Sequence, residues 1–271
     1  MILEENFLMS NGVEIPKIAL GTWLIENDEA KTAVKNAIDL GYRHIDTAQA
    51  YGNEQGVGEG IKASGISHYN IFVTSKVAAE IKDYNSAKQS IDKSLQRLGL
   101  DYIDLMLIHC PQPWSEYNKT DNRYKQENLE VWQAMEEAVK AGKIRSIGIS
   151  NFSEEDTENI LHNCSIKPVI NQLRANPLDT PVKLIDYCRT QDILVEAYSP
   201  VAHGDALNND MLRNLAKKYG VTAAQFCIGY VLQLGLVALP KTTNTEHMRN
   251  NAEIDFTISE DDMEMLLSRF R

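Results

Sequence analysis

The chain is poor in cysteine and has no paired cysteine motif. Cys110, Cys164, Cys188 and Cys227 are scattered without a CxxC spacing. That argues against a zinc ribbon or a disulfide framework and predicts reduced thiols in a cytoplasmic protein. No apolar run is long enough to span a bilayer. The opening MILEENFLMS is acidic and lacks the basic start of a secretory leader. Positive charge is also short, with 27 Lys and Arg against 38 Asp and Glu and a formal net charge of −11. Such a surface argues against nucleic acid or an anionic membrane as the main partner, while leaving room for a local basic pocket. There is no GxGxxG and no GxxxxGK[ST], so neither usual glycine-rich phosphate loop is present. Repeats, low-complexity runs and linkers are absent too, which predicts one domain over 1–271.

What is present is an alternation of short apolar runs with amphipathic ones. Asn11-Gly12 lies between two apolar stretches and predicts an N-terminal β-hairpin, since both residue types tolerate positive φ. Strands are expected at Ile18–Gly21, His44–Asp46, Ile71–Lys76, Ile103–His109, Ser146–Ser150, Val169–Leu173, Leu194–Tyr198 and Leu236–Leu239. Helical patterns cover Glu29–Leu40, Glu54–Ser64, Ser86–Leu98, Leu129–Ala141, Glu154–Asn163 and Val182–Thr190. They resume at Met211–Tyr219, Ala223–Leu234 and Glu260–Phe270. Gly41, Gly99, Gly142, Asn163 and Gly220 read as helix stops. Eight strands, each followed by a helix, predict an α/β fold of the (β/α)8 TIM-barrel type rather than an open sheet. Two longer connections, Pro111–Asn128 and Ser199–Asn209, are expected over the mouth of that barrel.

The pattern centres on Gly41–Gly58, GYRHIDTAQAYGNEQGVG. A strand ends at Asp46, a turn carries Tyr51, and Asn53-Glu54 is expected to cap and open a helix. Lys76 and His109 end the next two apolar strands, where they are costly to bury without partners. Singly, these are ordinary residues: a cap, a rim aromatic, a snorkelling lysine, a core histidine. Jointly, at the same end of adjacent strands, they form a proton-transfer site. Lys76 as an ammonium would lower the Tyr51 pKa toward working pH, and Asp46 would keep Lys76 charged. Tyr51 could then protonate a carbonyl oxygen that His109 orients.

These residues carry a resemblance. Gly41–Gly58 resembles the first signature of the aldo-keto reductases. Met135–Phe152, ending RSIGISNF, resembles the second, and Leu239-Pro240-Lys241-Thr242 followed by Asn251 resembles the third. The similarity extends over nearly the whole chain and is greatest to the bacterial diketogluconate reductase and prostaglandin F synthase-like branches. It implies a (β/α)8 barrel with the N-terminal hairpin as a plug at its floor. It also implies NADPH or NADP as cofactor, with some NADH use, and an Asp46, Tyr51, Lys76, His109 tetrad reducing a small carbonyl substrate. The implied cofactor contacts are Gly21, Thr22, Asp46, Ser150, Asn151 and Gln172, with Tyr198 stacking under the nicotinamide. Ser199, Pro200 and Val201 are further implied cofactor contacts, with Val201–Leu207 as the loop over the pyrophosphate, and Lys241, Thr242, Thr243, Asn244, His247, Asn250 and Asn251 complete the set. Substrate contacts are expected from Trp23, Tyr51, His109, Cys110 and Trp114. A monomer or weak dimer is expected.

The chain departs from the family pattern at three places. His247 stands where an arginine usually grips the 2′-phosphate, and Asn250 where an acid often lies near adenine. Histidine is a weaker, pH-dependent cation, so NADPH preference should be softened. Cys110 follows His109 where tryptophan is common, which would widen the pocket floor unless Trp114 refills it. Arg271 follows closely on the last helix, so no long tail is expected over the site, and broad substrate tolerance follows. Two other functions fit the same residues: a barrel aldolase with Lys76 as Schiff-base nucleophile, and a cofactor-sensing protein without catalysis.

Overall fold

The structure is a computed structural model that describes residues 2–270. Met1 and Arg271, the ends of the expected domain, lie outside the described residues, as does the expectation about the tail. The first strands, β1 (Asn6–Leu8) and β2 (Glu14–Pro16), form an antiparallel hairpin with Phe7 opposite Ile15. Its turn differs from the expected two-residue form. Only Gly12 takes positive φ, at 81°, and Met9 N–H donates to the Val13 carbonyl. This leaves a three-residue loop with glycine at the left-handed position. Asn11 instead works through its side chain: Nδ2 donates to Ser146 Oγ at 2.9 Å. The hairpin is thereby tied to the entrance of a barrel strand, and Met9 and Ile15 are buried with Leu105, Leu107 and Ile170 in the interior core.

Eight parallel strands follow in sequential order: β3 (Leu20–Gly21), β4 (His44–Asp46), β5 (Phe72–Val77), β6 (Ile103–Ile108), β7 (Ile144–Ser150), β8 (Ile170–Arg174), β9 (Leu194–Tyr198) and β10 (Val237–Leu239). The last meets the first. Ile18 bridges Ala238, Ala19 N–H reaches the Ala238 carbonyl at 2.9 Å, and Gly21 N–H reaches the Pro240 carbonyl at 2.9 Å. Eight strands of branched residues thus close into the expected (β/α)8 barrel, where no edge is left to pair elsewhere.

Around them run α1 (Asn27–Asp39), α2 (Glu54–Ser64), α3 (Tyr84–Leu98), α4 (Lys125–Lys140), α5 (Glu154–Asn163), α6 (Val182–Thr190), α7 (Asp210–Lys218), α8 (Ala223–Gln233), α9 (Thr245–Ala252) and α10 (Glu260–Leu267). Local chemistry sets several starts. Ser153 with Asp156, and Thr222 with Gln225, form reciprocal capping boxes at α5 and α8. Asn163 closes no helix by a left-handed turn; it is the last residue of α5, and Cys164 beyond it is extended. Helix α9 has no counterpart among the expected helices, because only Met248 and Asn251 are buried along it and its apolar period is thin. None of the helices among the described residues is long and apolar enough to cross a membrane.

Glycines in the central stretch set how closely the outer helices approach. A methyl group at Gly58 would overlap the Leu98 carbonyl, which allows α2 and α3 to touch through their backbones. Gly58→Ala is therefore expected to cost about 1–3 kcal/mol by overpacking, read as a lower urea midpoint at unchanged m-value.

Candidate active site

The carboxyl ends of the barrel strands deliver the polar residues. Asp46 ends β4, Lys76 lies in β5, His109 follows β6, Ser150 ends β7, Gln172 lies in β8 and Tyr198 ends β9. Tyr51 comes from the short helical turn Gln49–Tyr51 between β4 and α2. Asn53 precedes α2 but does not cap it with its side chain. Fully buried, it accepts from Thr47 Oγ1 at 2.8 Å and donates to the carbonyls of Thr22 and Ile25 at 2.9 and 2.8 Å. It therefore knits together the two loops that carry Tyr51 and Trp23, a role that capping propensity does not reveal.

Lys76 is fully buried. Its Nζ donates to Asp46 Oδ1 at 2.8 Å and Oδ2 at 2.9 Å, to the Thr47 carbonyl at 2.8 Å and to Tyr51 OH at 3.2 Å. Burial alone would pull the amine down, but Asp46, then Tyr51, outweigh it and hold Lys76 above its ordinary range. It is an ammonium ion with its donors committed. That is the wrong state for a Schiff-base nucleophile, which must be a free amine.

Tyr51 departs from expectation. Burial pushes its phenol up, Lys76 pulls it back and Asp46 pushes it up again, leaving it above the ordinary phenol range. Lys76 thus limits the rise without reversing it, because desolvating a would-be phenolate is the larger effect. At neutral pH Tyr51 is a protonated donor held against a cation. His109 packs edge-on to Tyr51 with ring centroids 5.5 Å apart. Burial, and then Lys76, drive its pKa well below the usual histidine value, so the imidazole is neutral. Its Nδ1 is buried without a partner. We assign the proton to Nε2, since an orphaned acceptor costs less than an orphaned N–H.

Trp114 stands perpendicular to the His109 ring at 5.2 Å, and Trp23 contacts His203 edge-on at 5.3 Å. Both tryptophans are exposed, so the mouth has an aromatic rim. Cys110 does not belong to it. Its side chain has no exposed surface, burial pushes the thiol up to about 12, and its carbonyl accepts from Lys82 Nζ at 3.0 Å. Cys110, expected as a substrate contact, is thus buried behind His109, and Trp114 stands at the rim.

A second cluster faces the same mouth. Ser150 Oγ donates to the Gln172 carbonyl at 3.0 Å, and Asn151 Nδ2 donates to the His109 carbonyl at 3.1 Å. Tyr198 OH donates to Asn151 Oδ1 at 2.8 Å. Asn151 takes φ of 61°, a left-handed turn that asparagine tolerates. Gln172 Nε2 donates to both Asp46 Oδ2 and Glu196 Oε2 at 2.9 Å, and nothing among the described residues donates to its Oε1. Gly21 and Thr22 are buried beside β4, where Thr22 Oγ1 donates to the Asp46 carbonyl at 2.9 Å.

The flank beyond β9 and β10 combines a run of left-handed backbone with a helix N-terminus. Ser199, Ala202, His203 and Gly204 all take positive φ around the helical turn Ala202–Asn208, with Pro200 buried and Val201 half-buried before it. Asn244 caps α9 by accepting from the Glu246 and His247 N–H groups. Lys241, Thr243 and His247 are exposed at that end, Thr242 and Asn250 half-buried, and Asn251 buried. Neither Lys241 nor His247 has a salt-bridge partner among the described residues. An unpaired lysine beside a helix N-terminus suits phosphate groups, and the open Gln172 Oε1 acceptor suits the N–H of a carboxamide. The residues present therefore fit a nicotinamide dinucleotide.

Comparison with known proteins agrees with this geometry. Residues 17–268 match the profile described as "Aldo/keto reductase family". The chain is 42% identical over 266 residues to the glyoxal reductase of Bacillus subtilis (strain 168), covering 97% of this chain and 92% of that protein. An aldo/keto reductase structure from Brucella melitensis superposes with a TM-score of 0.90 at 35% identity, covering 97% and 98% of the two chains. The Bombyx mori aldo-keto reductase solved in complex with NADP gives 0.87 at 34% identity, covering 97% and 92%. With a closed barrel, a lysine-centred polar cluster at its mouth and a match over almost its full length, this chain belongs to the aldo/keto reductase family.

Proposed function

We propose that residues 1–271 act as one domain that reduces aldehydes or ketones to alcohols with NADPH, Tyr51 being the proton donor. The observation that carries this reading is the buried Lys76 ammonium, 3.2 Å from the Tyr51 hydroxyl and anchored on both oxygens of Asp46. A developing alkoxide beside Tyr51 takes the phenolic proton, and the ammonium stabilises the charge left on the ring oxygen. His109, neutral with its proton on Nε2, donates to the same oxygen and fixes the face that the substrate presents. Ser150, Asn151 and Gln172 would hold the carboxamide, Tyr198 would lie under the ring, and Gly21, Thr22 and Asp46 would line the groove. Ser199, Pro200, Val201, Lys241, Thr242, Thr243, Asn244, His247, Asn250 and Asn251 would hold the phosphates and adenine. When bound, the reduced nicotinamide supplies the hydride.

Small dicarbonyls such as methylglyoxal, aromatic aldehydes and keto-sugars are the candidate substrates. The glyoxal reductase named among the relatives supports the first of these, and the rim of Trp23 and Trp114 supports apolar ones. The four free thiols support a reducing, cytoplasmic setting, in which the protein would act as a monomer or weak dimer. Following NADPH absorbance across a carbonyl panel tests the reading, with borohydride trapping on Lys76 as the control for the aldolase alternative.

His247 replaces the guanidinium that the resemblance places at the 2′-phosphate by a smaller group with fewer donors. The ratio of kcat/KM for NADPH over NADH is therefore expected to rise severalfold in His247→Arg. An unchanged ratio would remove His247 from phosphate binding.

A further inference from the structure

A charged residue in the middle of an apolar strand needs a reason. Glu196 lies in Leu194-Val195-Glu196-Ala197-Tyr198, is fully buried, and points into the barrel. One oxygen, Oε2, accepts from Gln172 Nε2 at 2.9 Å; the other, Oε1, is buried with no hydrogen-bond partner. The same Gln172 nitrogen donates to Asp46 Oδ2 at 2.9 Å, and Asp46 holds Lys76. A continuous polar chain therefore runs from Glu196 through Gln172, Asp46 and Lys76 to Tyr51. From β4, Glu196 faces His44 and Asp46, and from β5 it faces Lys76. Strand β8 presents the neutral Gln172, and β10, paired at Val237, presents no charge. His44 Nε2 is 3.8 Å from Glu196 Oε1 and is within 2.9 Å of Thr74 Oγ1. Burial lowers His44 to about 4, so it offers no cation at neutral pH.

We propose that Glu196 is a positioning residue of the reduction: it fixes the Gln172 amide and ties the activity of the Asp46–Lys76–Tyr51 chain to pH. This rests on the function proposed above. With its nitrogen engaged by two carboxyl groups, the Gln172 amide keeps Oε1 free for a partner at the mouth. A flipped amide would set its oxygen against Asp46. Two ionised carboxyls on one amide nitrogen repel each other, and only one cation, Lys76, is near. Burial, and then Asp46, push Glu196 up to about 8, against smaller pulls from Gln172 and Lys76. Below that value the site holds one anion and one cation. Above it a second negative charge enters, strengthens the hold of Lys76 and Tyr51 on their protons, and weakens Tyr51 as an acid. Activity then falls as pH rises through the Glu196 titration.

Glu196→Gln keeps an acceptor for Gln172 and cannot ionise. The ratio of its kcat to that of the wild type is expected to rise about tenfold between pH 7 and pH 9, the ionised fraction expected for a group near 8. KM for the carbonyl should change little, because Glu196 does not reach the substrate. A second measurement needs neither variant nor turnover. Carbon-13 NMR of glutamate-labelled, cofactor-free protein should show one glutamate carboxyl titrating near pH 8. A ratio that does not rise, or the absence of any glutamate titrating there, overturns the proposal. A wild type that consumes no NADPH with any carbonyl overturns the reading on which it rests, while the NMR titration still reports on Glu196.

Discussion

Tyr51→Phe is expected to lower kcat by about 10²–10⁴, the range set by losing a positioned general acid. The phenylalanine ring keeps the packing against His109 and loses only the hydroxyl that Lys76 reaches. NADPH affinity, read by quenching of tryptophan fluorescence, should stay within about threefold, because the lost group acts only as the proton moves. Folding should be almost unaffected. The split is the diagnostic. If Tyr51 were merely a rim aromatic, kcat would survive the change, and if it were a binding residue, KM would rise with kcat intact.

The second large effect is on stability and activity together. Lys76→Met removes the one cation from a pocket that keeps the Asp46 carboxylate in place. Breaking a buried pair at one end costs about 3–5 kcal/mol, because the remaining charge is left in a poor medium. The Thr47 carbonyl and the Tyr51 hydroxyl lose a donor as well. Calorimetry should show the loss, and kcat should fall about as far as in Tyr51→Phe. Adding Asp46→Asn should return much of the stability, since the stranded charge is gone, and none of the turnover. Recovery of turnover in the double variant would mean that the ammonium acts only as a structural prop.

The barrel was readable because each strand is a short run of branched residues followed by an amphipathic helix. The bounds of His44–Asp46, Leu194–Tyr198, Glu54–Ser64 and Val182–Thr190 agree with expectation to the residue. Helix α9 escaped because its residues are held by a cap and two buried side chains, not by an apolar stripe. The meeting of Asp46, Tyr51, Lys76 and His109 was legible from their shared place at strand ends. The balance of forces on Tyr51 was not, since burial depends on the closed barrel and outweighs the neighbouring charge. Asn53 holds the N-cap position that its type suggests, yet its side chain serves a loop distant in sequence, and the burial of Cys110 depends on the packing of the closed fold. Glu196 did carry a signal, a charge within an apolar strand, but its partner Gln172 lies on another strand and only the barrel brings them together.

The central claim is that a phenolic proton leaves Tyr51 as a carbonyl is reduced. Single-turnover NADPH oxidation with methylglyoxal in H2O and D2O tests it most directly, with Tyr51→Phe in parallel. The account predicts a slower wild-type reaction in D2O, with that sensitivity lost from the residual rate of the variant. Equal rates for wild type and Tyr51→Phe, with no dependence on solvent deuterium in either, would contradict it.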